Sequence, residues 1–249
     1  MKSPKRGEAA SWKLRHWSAD YLRASWWQLS SVFSRLSPAA FAQAEETRPL
    51  IVLLPGVYET WHFMAPLAKT LHAQGYRVLP VPALGHNRRP VLATAQLVEQ
   101  LLREFGIRAE AQGRRERVLL VAHSKGGLVG KQLMINNLTA SAPEPKILGM
   151  VAIATPFGGS RLAHRLLGKT LNEFAASHQT ITGLQASSEV NARIISILPR
   201  FDPLIPDNPG LEGAQETVLR GSGHFNVLVD QEAIQAVQAG LDFLQEPGE

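Results

Sequence analysis

Residues 118–130 read VLLVAHSKGGLVG, and in this stretch two apolar runs flank one short polar segment. The first run, residues 118–122, consists of large and partly β-branched side chains, which are typical of a strand buried on both faces of a parallel sheet. The second run continues with apolar residues at helical spacing: Leu128, Val129, Leu133, Met134 and Leu138. The stretch therefore predicts a strand, a tight turn at Ser124 and a helix, with the Ser124 hydroxyl on the outside of the turn.

Strand-like and helix-like segments alternate along the whole chain from residue 48 onward. The predicted strands are 49–56, 76–84, 117–122, 147–155, 192–198 and 216–223. The predicted helices are about 60–73, 90–105, the segment after Ser124, and 230–245. This alternation predicts an α/β domain with a mostly parallel central sheet and helices on both faces. We place it at residues 48–249, with a small cap insertion around 160–190 and a separate N-terminal arm at 1–47.

Composition limits the classes of function. With 249 residues, 45% of them apolar and 19% charged, the chain is typical of a soluble protein with one sizeable core. Cysteine is absent, which excludes a disulfide framework and a thiolate metal site, and the histidines have no metal-binding spacing. The net charge of +5 comes entirely from residues 1–40, so nucleic-acid binding by the domain is not expected.

The N-terminal arm carries its own pattern. Apolar residues of segment 12–36 recur at steps of three and four, which predicts a helix with one broad apolar face and with Asp20 among the charged residues mostly opposite. The tryptophans of the arm are Trp12, Trp17, Trp26 and Trp27. A basic helix rich in tryptophan suits a membrane surface. The alternative is a helix that docks on the domain or on a partner chain, as in a dimer.

Targeting signals in the arm are weak. Ala42 and Ala44 resemble a signal-peptidase site, but the preceding segment is interrupted by serines, Gln28 and Arg35, so we do not expect secretion through it. No stretch approaches the ~20 apolar residues of a transmembrane helix. The expectation is a cytoplasmic protein, peripheral to a membrane if the arm binds there.

The predicted turn at Ser124 has the spacing of a nucleophile elbow. Ala122 and Gly126 lie two residues before and after the serine, and only small residues fit at these positions of a sharp strand-to-helix turn. A serine in a plain turn would match the same short pattern. The strand before it and the helix after it favour a nucleophile.

A base and an acid follow the serine in the order that this elbow requires. His224 lies between the last predicted strand and the last helix, whereas His164 and His178 follow no strand. Asp202 comes just after the predicted strand 192–198, and it would orient the His224 imidazole through the second ring nitrogen. The competing carboxylates are Asp207, in a turn-like PDNPG segment, and Asp230, which we assign to a helix N-terminus.

Acyl transfer also needs two N–H donors for the oxyanion of the tetrahedral intermediate. The backbone N–H of Lys125 is one candidate, because it directly follows the nucleophile and opens a helix. The backbone N–H of Val57, in the Pro-Gly-Val turn after the first strand, is the other. Gly56 allows the backbone of that turn to approach closely.

These segments together resemble the α/β-hydrolases of the lipase and esterase type over about residues 48–245. LLPGVYETWHFMAPLAKTLHAQGYRV (53–78) is similar to the oxyanion strand and following helix, AHSKGG (122–127) to the elbow, and VAIATPFGGSRLA (151–163) to a lipase segment commonly written T-P-H-x-G-S. The resemblance implies that Ser124 attacks an ester carbonyl, that His224 and Asp202 complete a triad, and that no cofactor or metal is needed. It also implies that the domain begins at the family's third strand.

The substrate site is less defined by the sequence. His86 and Asn87 follow a strand end, and Phe157 replaces the histidine of the lipase segment, so all three are candidates for substrate contact. The Lys125 side chain is either a substrate-facing cation or, as we expect, a solvated or paired surface lysine. The expected partner is an ester or lipid-like small molecule.

Three functions fit these residues. A serine hydrolase acting on carboxylic esters is the leading hypothesis. An acyltransferase or thioesterase would use the same triad and differ in what attacks the acyl-enzyme. A non-catalytic binding protein could use the same fold, since a fold does not determine a function.

Overall fold

The computed structural model describes residue 20 and residues 36–44, 47–161 and 169–246. Its centre is a six-stranded, entirely parallel sheet in the order β2-β1-β3-β4-β5-β6. The strands are β1 Leu50–Leu54, β2 Val78–Pro80, β3 Arg117–His123, β4 Lys146–Ile153, β5 Ile194–Leu198 and β6 Gln215–Val218. β1 pairs with β2 on one side and with β3 on the other, so β1 and β3 are neighbours inside the sheet.

In the part of the chain that the structure describes, six helices and several short 3-10 turns lie between or after the strands. The helices are α1 Ala65–Ala73, α2 Val91–Glu110, α3 Lys125–Asn137, α4 Lys169–Asn172, α5 Gln179–Ala186 and α6 Gln231–Gln245. Helices α1 and α6 contribute to the core on one face of the sheet, and α2, α3 and α5 contribute to the core on the other. This arrangement confirms the predicted fold class.

The alternation of strand side chains explains the two cores. Successive residues of a strand point to opposite faces, so a strand covered on both sides must be apolar throughout. In β1, Ile51 and Leu53 belong to one core, and Leu50, Val52 and Leu54 belong to the other. All five residues are buried, and β3 repeats the pattern beside them.

The predicted strands at 76–84 and 216–223 are shortened the most. The segment predicted at 76–84 contributes only Val78–Pro80, and Pro82–Leu84 forms a 3-10 turn. Proline has no N–H for a sheet ladder, so it ends the strand, and Pro80 is tolerated because β2 lies at the edge. The last strand stops at Val218, and the chain from there to His224 forms the loop that reaches the site.

The cap and the arm are only partly described. Helices α4 and α5 belong to the predicted cap region, and residues 162–168 lie outside the described residues. The helix predicted for segment 12–36 also lies outside them, except for Asp20 and Leu36. Within the described parts of the chain, no helix is both long and apolar enough to cross a membrane.

Candidate active site

The site is built around a sharp turn at the carboxyl end of β3. Ser124 has φ 52° and ψ −123°, a left-handed conformation that costs a non-glycine residue on the order of 1–3 kcal/mol. A Cβ on Gly126 would lie 2.0 Å from the carbonyl oxygen of Leu54, and one on Gly127 would lie 2.1 Å from Thr155 Oγ1. Glycine is therefore required for helix α3 to start so close to the neighbouring strands. The turn holds the Ser124 side chain at the carboxyl end of the sheet, where 8% of the residue remains exposed.

The structure brings the three predicted side chains together. His224 Nε2 lies 2.9 Å from Ser124 Oγ, and His224 Nδ1 lies 2.7 Å from Asp202 Oδ2. The second carboxylate oxygen of Asp202 accepts the backbone N–H groups of Leu204 and Ile205, at 2.8 and 3.0 Å. Since Nδ1–H is donated to Asp202, Nε2 is free to accept the Ser124 hydroxyl proton. This is the arrangement needed for a serine nucleophile with an oriented base.

Burial and charge act in opposite directions on this pair. Burial disfavours the charged forms of both groups. For Asp202, the charge and hydrogen bond of His224, with the two backbone N–H groups, prevail and hold its pKa below the usual range. For His224, the charge and hydrogen bond of Asp202, with the carboxylates of Glu59 and Asp20, raise its pKa above the usual value. Asp202 therefore stays ionised and stabilises an imidazolium at position 224.

The competing residues have other partners. Asp207 is exposed and pairs with Arg161 at 3.5 Å. Asp230 caps helix α6 through the backbone N–H groups of Glu232 and Ala233, which confirms its assignment to a helix N-terminus. His178 caps α5, and His164 lies outside the described residues.

The two predicted oxyanion donors flank the serine. Val57 lines the same pocket as Ser124, in the turn that follows β1. In the described part of the chain its backbone N–H has no backbone acceptor. Lys125 is the first residue of α3, so its N–H has no carbonyl one turn earlier in the helix. Both assignments remain predictions.

Two residues that the sequence analysis missed lie beneath the turn. Glu59 Oε2 accepts the Gly56 N–H at 2.8 Å, and the Glu59 carboxylate reaches His123 Nδ1 at 2.8 Å. His123 Nε2 lies 2.9 Å from the carbonyl oxygen of His224, to which it must donate. The pair therefore ties the turn after β1 to the backbone of His224. The signal in the sequence was a histidine directly before the serine, where an apolar strand would have continued.

The same network bears on metal binding. Ligand atoms of Glu59, His123 and His224 lie within 4.8 Å of one another, which is close enough to hold a metal ion. However, these groups are already engaged: Glu59 with His123 and with the Gly56 N–H, and His224 with Ser124 and Asp202. The observed contacts form a hydrogen-bond network.

The pocket beside Ser124 is small and mainly apolar, with a volume of about 70 Å³. It is lined by Val57, Glu59, Ser124, Pro156, Ser160, Leu171, Phe174, Leu204, Ile205, His224 and Phe225. Two larger clefts of about 640 and 770 Å³ lie elsewhere, and neither is lined by Ser124. We place the site at the small pocket, because Ser124 and His224 both line it.

The three predicted substrate contacts do not line this pocket. His86 is exposed on the loop after β2. Phe157 is buried and lines the 770 Å³ cleft instead. Asn87 is buried, and its side-chain amide donates to the carbonyl oxygen of Pro55 at 2.7 Å. Asn87 has φ 48° and joins its loop to the turn after β1, so its polar atoms serve the fold.

The expectation of a surface lysine at position 125 was wrong. The Lys125 side chain is fully buried, and its Nζ donates to the backbone carbonyl of Asn87 at 2.8 Å and to that of Arg89. Burial lowers the pKa of Lys125 to about 8, an effect that the nearby Glu173 carboxylate partly offsets. The sequence shows that Lys125 follows the serine at the start of a helix. It does not show that the loop of residues 85–90 packs over α3 and buries the Lys125 amine.

Comparisons with known proteins agree with this fold. The model of a family described as "Alpha/beta hydrolase family" matches residues 51–209. A comparison with curated proteins found no match.

Solved structures share the fold at low sequence identity. A Listeria innocua gene product is 12% identical with a TM-score of 0.57, and the match covers 81% of this chain and 96% of that one. A monoacylglycerol lipase from Paleococcus ferrophilus is 15% identical with a TM-score of 0.56, covering 81% and 95%. Naproxen esterase from Bacillus subtilis is 13% identical with a TM-score of 0.52, covering 81% and 86%.

Proposed function

This chain belongs to the alpha/beta hydrolase family, and we propose that it is a serine hydrolase that cleaves carboxylic esters through an acyl-enzyme intermediate. One observation carries the proposal: the His224 ring bridges the Ser124 hydroxyl and the Asp202 carboxylate, at 2.9 and 2.7 Å. The mainly apolar lining of the adjoining pocket suits an acyl chain or an apolar alcohol group.

Acylation is the first half of the proposed reaction. Ser124 Oγ attacks the ester carbonyl carbon while its proton passes to His224 Nε2. The carbonyl oxygen becomes an oxyanion, which the N–H groups of Val57 and Lys125 would stabilise. The C–O bond to the alcohol then breaks, and the alcohol leaves with the proton that His224 carried.

Deacylation repeats the same proton transfers with water. His224 Nε2 takes a proton from a water molecule, whose oxygen attacks the acyl carbon. The bond to Ser124 Oγ breaks, the serine regains its proton from His224, and the carboxylic acid is released. Asp202 remains ionised throughout, because it stabilises the imidazolium without taking its proton.

Covalent labelling of the serine tests the proposal. We expect a fluorophosphonate to add once per chain, at Ser124, as shown by intact mass and peptide mapping. We also expect p-nitrophenyl esters to be hydrolysed, with acyl chain length setting the KM. A folded protein that takes up no label, or takes it up elsewhere, would contradict the proposal.

Removing the buried amine of Lys125 should loosen the site. In Lys125→Met the carbonyls of Asn87 and Arg89 lose a charged donor, which should lower the free energy of unfolding by roughly 1.5–3 kcal/mol. Since Asn87 holds the carbonyl of Pro55, the labelling rate of Ser124 should fall as well. Urea denaturation and time-resolved labelling measure the two effects.

Lys131→Met is the matched control for this change. Lys131 is also buried on α3, and burial likewise lowers its pKa to about 8, but the charge it faces is that of Glu189. Its replacement should leave the labelling rate of Ser124 unchanged. Equal labelling rates for the Lys125 variant and the wild type would show that the amine does not support the site.

A further inference from the structure

One carboxylate near the site comes from the N-terminal arm. Asp20 is fully buried, although the sequence pattern places it on the polar face of a helix. Its carboxylate accepts three consecutive backbone N–H groups, those of His224, Phe225 and Asn226, each at 2.8 Å. Asp20 and His224 are 204 positions apart, so only the tertiary structure joins them.

We propose that Asp20, a residue of the N-terminal arm, is a positioning residue for His224. The proposal rests on the proposed serine-hydrolase function. Asp20 contacts no reacting atom, and it acts by holding the backbone that carries the imidazole.

The loop is shaped to receive this carboxylate. Gly223 has φ 112°, and a Cβ at this position would lie 2.7 Å from Asp20 Oδ1. A residue with a side chain would therefore push the carboxylate away from the three N–H groups. Glycine here both allows the turn and leaves space for Asp20.

The backbone of His224 is held at both of its polar groups. Its N–H donates to Asp20 Oδ2, and its carbonyl oxygen accepts from His123 Nε2 at 2.9 Å. With the peptide groups on either side held, the Cα–Cβ direction is fixed, and the ring can meet Ser124 and Asp202 together. If the carboxylate is lost, the buried N–H of His224 and the half-buried N–H groups of Phe225 and Asn226 lose this acceptor, and we expect the loop to shift.

Asp20 also belongs to the charges around the imidazole. The groups near the ring are the Ser124 hydroxyl, the His123 ring at 4.8 Å between centroids, and the carboxylates of Asp202, Glu59 and Asp20. All three carboxylates raise the pKa of His224, against the effect of burial. Neutralising Asp20 should therefore move the acid limb of the pH–rate profile to lower pH.

The test compares Asp20→Ala and Asp20→Asn with the control Asp230→Ala. Asp230 is a half-buried carboxylate that caps helix α6 by accepting the backbone N–H groups of Glu232 and Ala233. We expect Asp20→Ala to lower kcat for a p-nitrophenyl ester and the fluorophosphonate labelling rate more than tenfold at similar KM. Asp20→Asn, which keeps one acceptor oxygen, should lie between Asp20→Ala and the wild type. Asp230→Ala should lower Tm while kcat stays unchanged.

A spectroscopic measurement separates this inference from the proposed function. We expect the proton between His224 Nδ1 and Asp202 to give a low-field ¹H NMR signal. This signal should shift or broaden in the Asp20 variants and stay unchanged in Asp230→Ala. If the wild type neither labels nor hydrolyses esters, the proposed function fails, and this signal still tests the positioning. The inference would be overturned if Asp20→Ala had the kcat, labelling rate and NMR signal of the wild type and only a lower Tm.

Discussion

Replacing Ser124 with glycine is expected to abolish ester hydrolysis and, at the same time, to stabilise the protein relative to the alanine variant. Without Oγ there is no nucleophile, so kcat should fall by about 10⁶-fold, the size of loss seen when the nucleophile of a serine hydrolase is removed. Glycine adopts the positive φ of 52° without strain, whereas alanine keeps the Cβ that strains it. The free energy of unfolding should therefore be about 1 kcal/mol higher for Ser124→Gly than for Ser124→Ala.

Two measurements check this pair of variants. Ester turnover and fluorophosphonate labelling should be lost equally in both, while urea denaturation should separate them. A glycine variant that is less stable than the alanine variant would show that the backbone at Ser124 is not strained. Substantial turnover in either variant would mean that another residue attacks the ester.

Asp202→Asn should reduce kcat by about 10⁴-fold with little change in the fold, because the amide has nearly the same shape as the carboxylate but no charge. The neutral side chain can neither hold the required His224 tautomer nor stabilise the imidazolium. Kinetics with a p-nitrophenyl ester, with stability measured in parallel, give the result. The control is Asp207→Asn, an exposed residue paired with Arg161, which should leave kcat unchanged.

The pH dependence of these variants follows from the direction of the shift. His224 acts as a base only when neutral, so activity falls as the pH drops through its pKa. Asp202 and the other carboxylates raise that pKa above 6.5, so the wild-type acid limb should lie above pH 6.5. In Asp202→Asn the limb should move to lower pH, because only the smaller effects of Glu59 and Asp20 then oppose the effect of burial on the pKa of His224. If the acid limb of Asp202→Asn stays at the wild-type pH, a group other than His224 causes it.

The elbow, and the order of strand, turn and helix around it, follow from local patterns in the sequence. A buried strand needs continuous apolar residues, and a sharp turn into a helix needs small neighbours at positions 122 and 126. These are requirements of backbone sterics and burial, and they act over a few residues. The fold class, the serine and the order of acid and base could therefore be predicted from segments taken one at a time.

The environment of each group came only from the tertiary structure. Lys125 looked like a surface lysine and Asp20 like a solvated helix residue, yet both are fully buried, because distant segments pack over them. Asn87 was expected at the substrate and instead holds the turn at Pro55. Burial and hydrogen bonding depend on which segments meet in space, and segments separated by up to 206 positions do not affect each other's local sequence pattern. The sequence alone determined the fold class and the candidate serine, base and acid. The packing decided which other side chains support them.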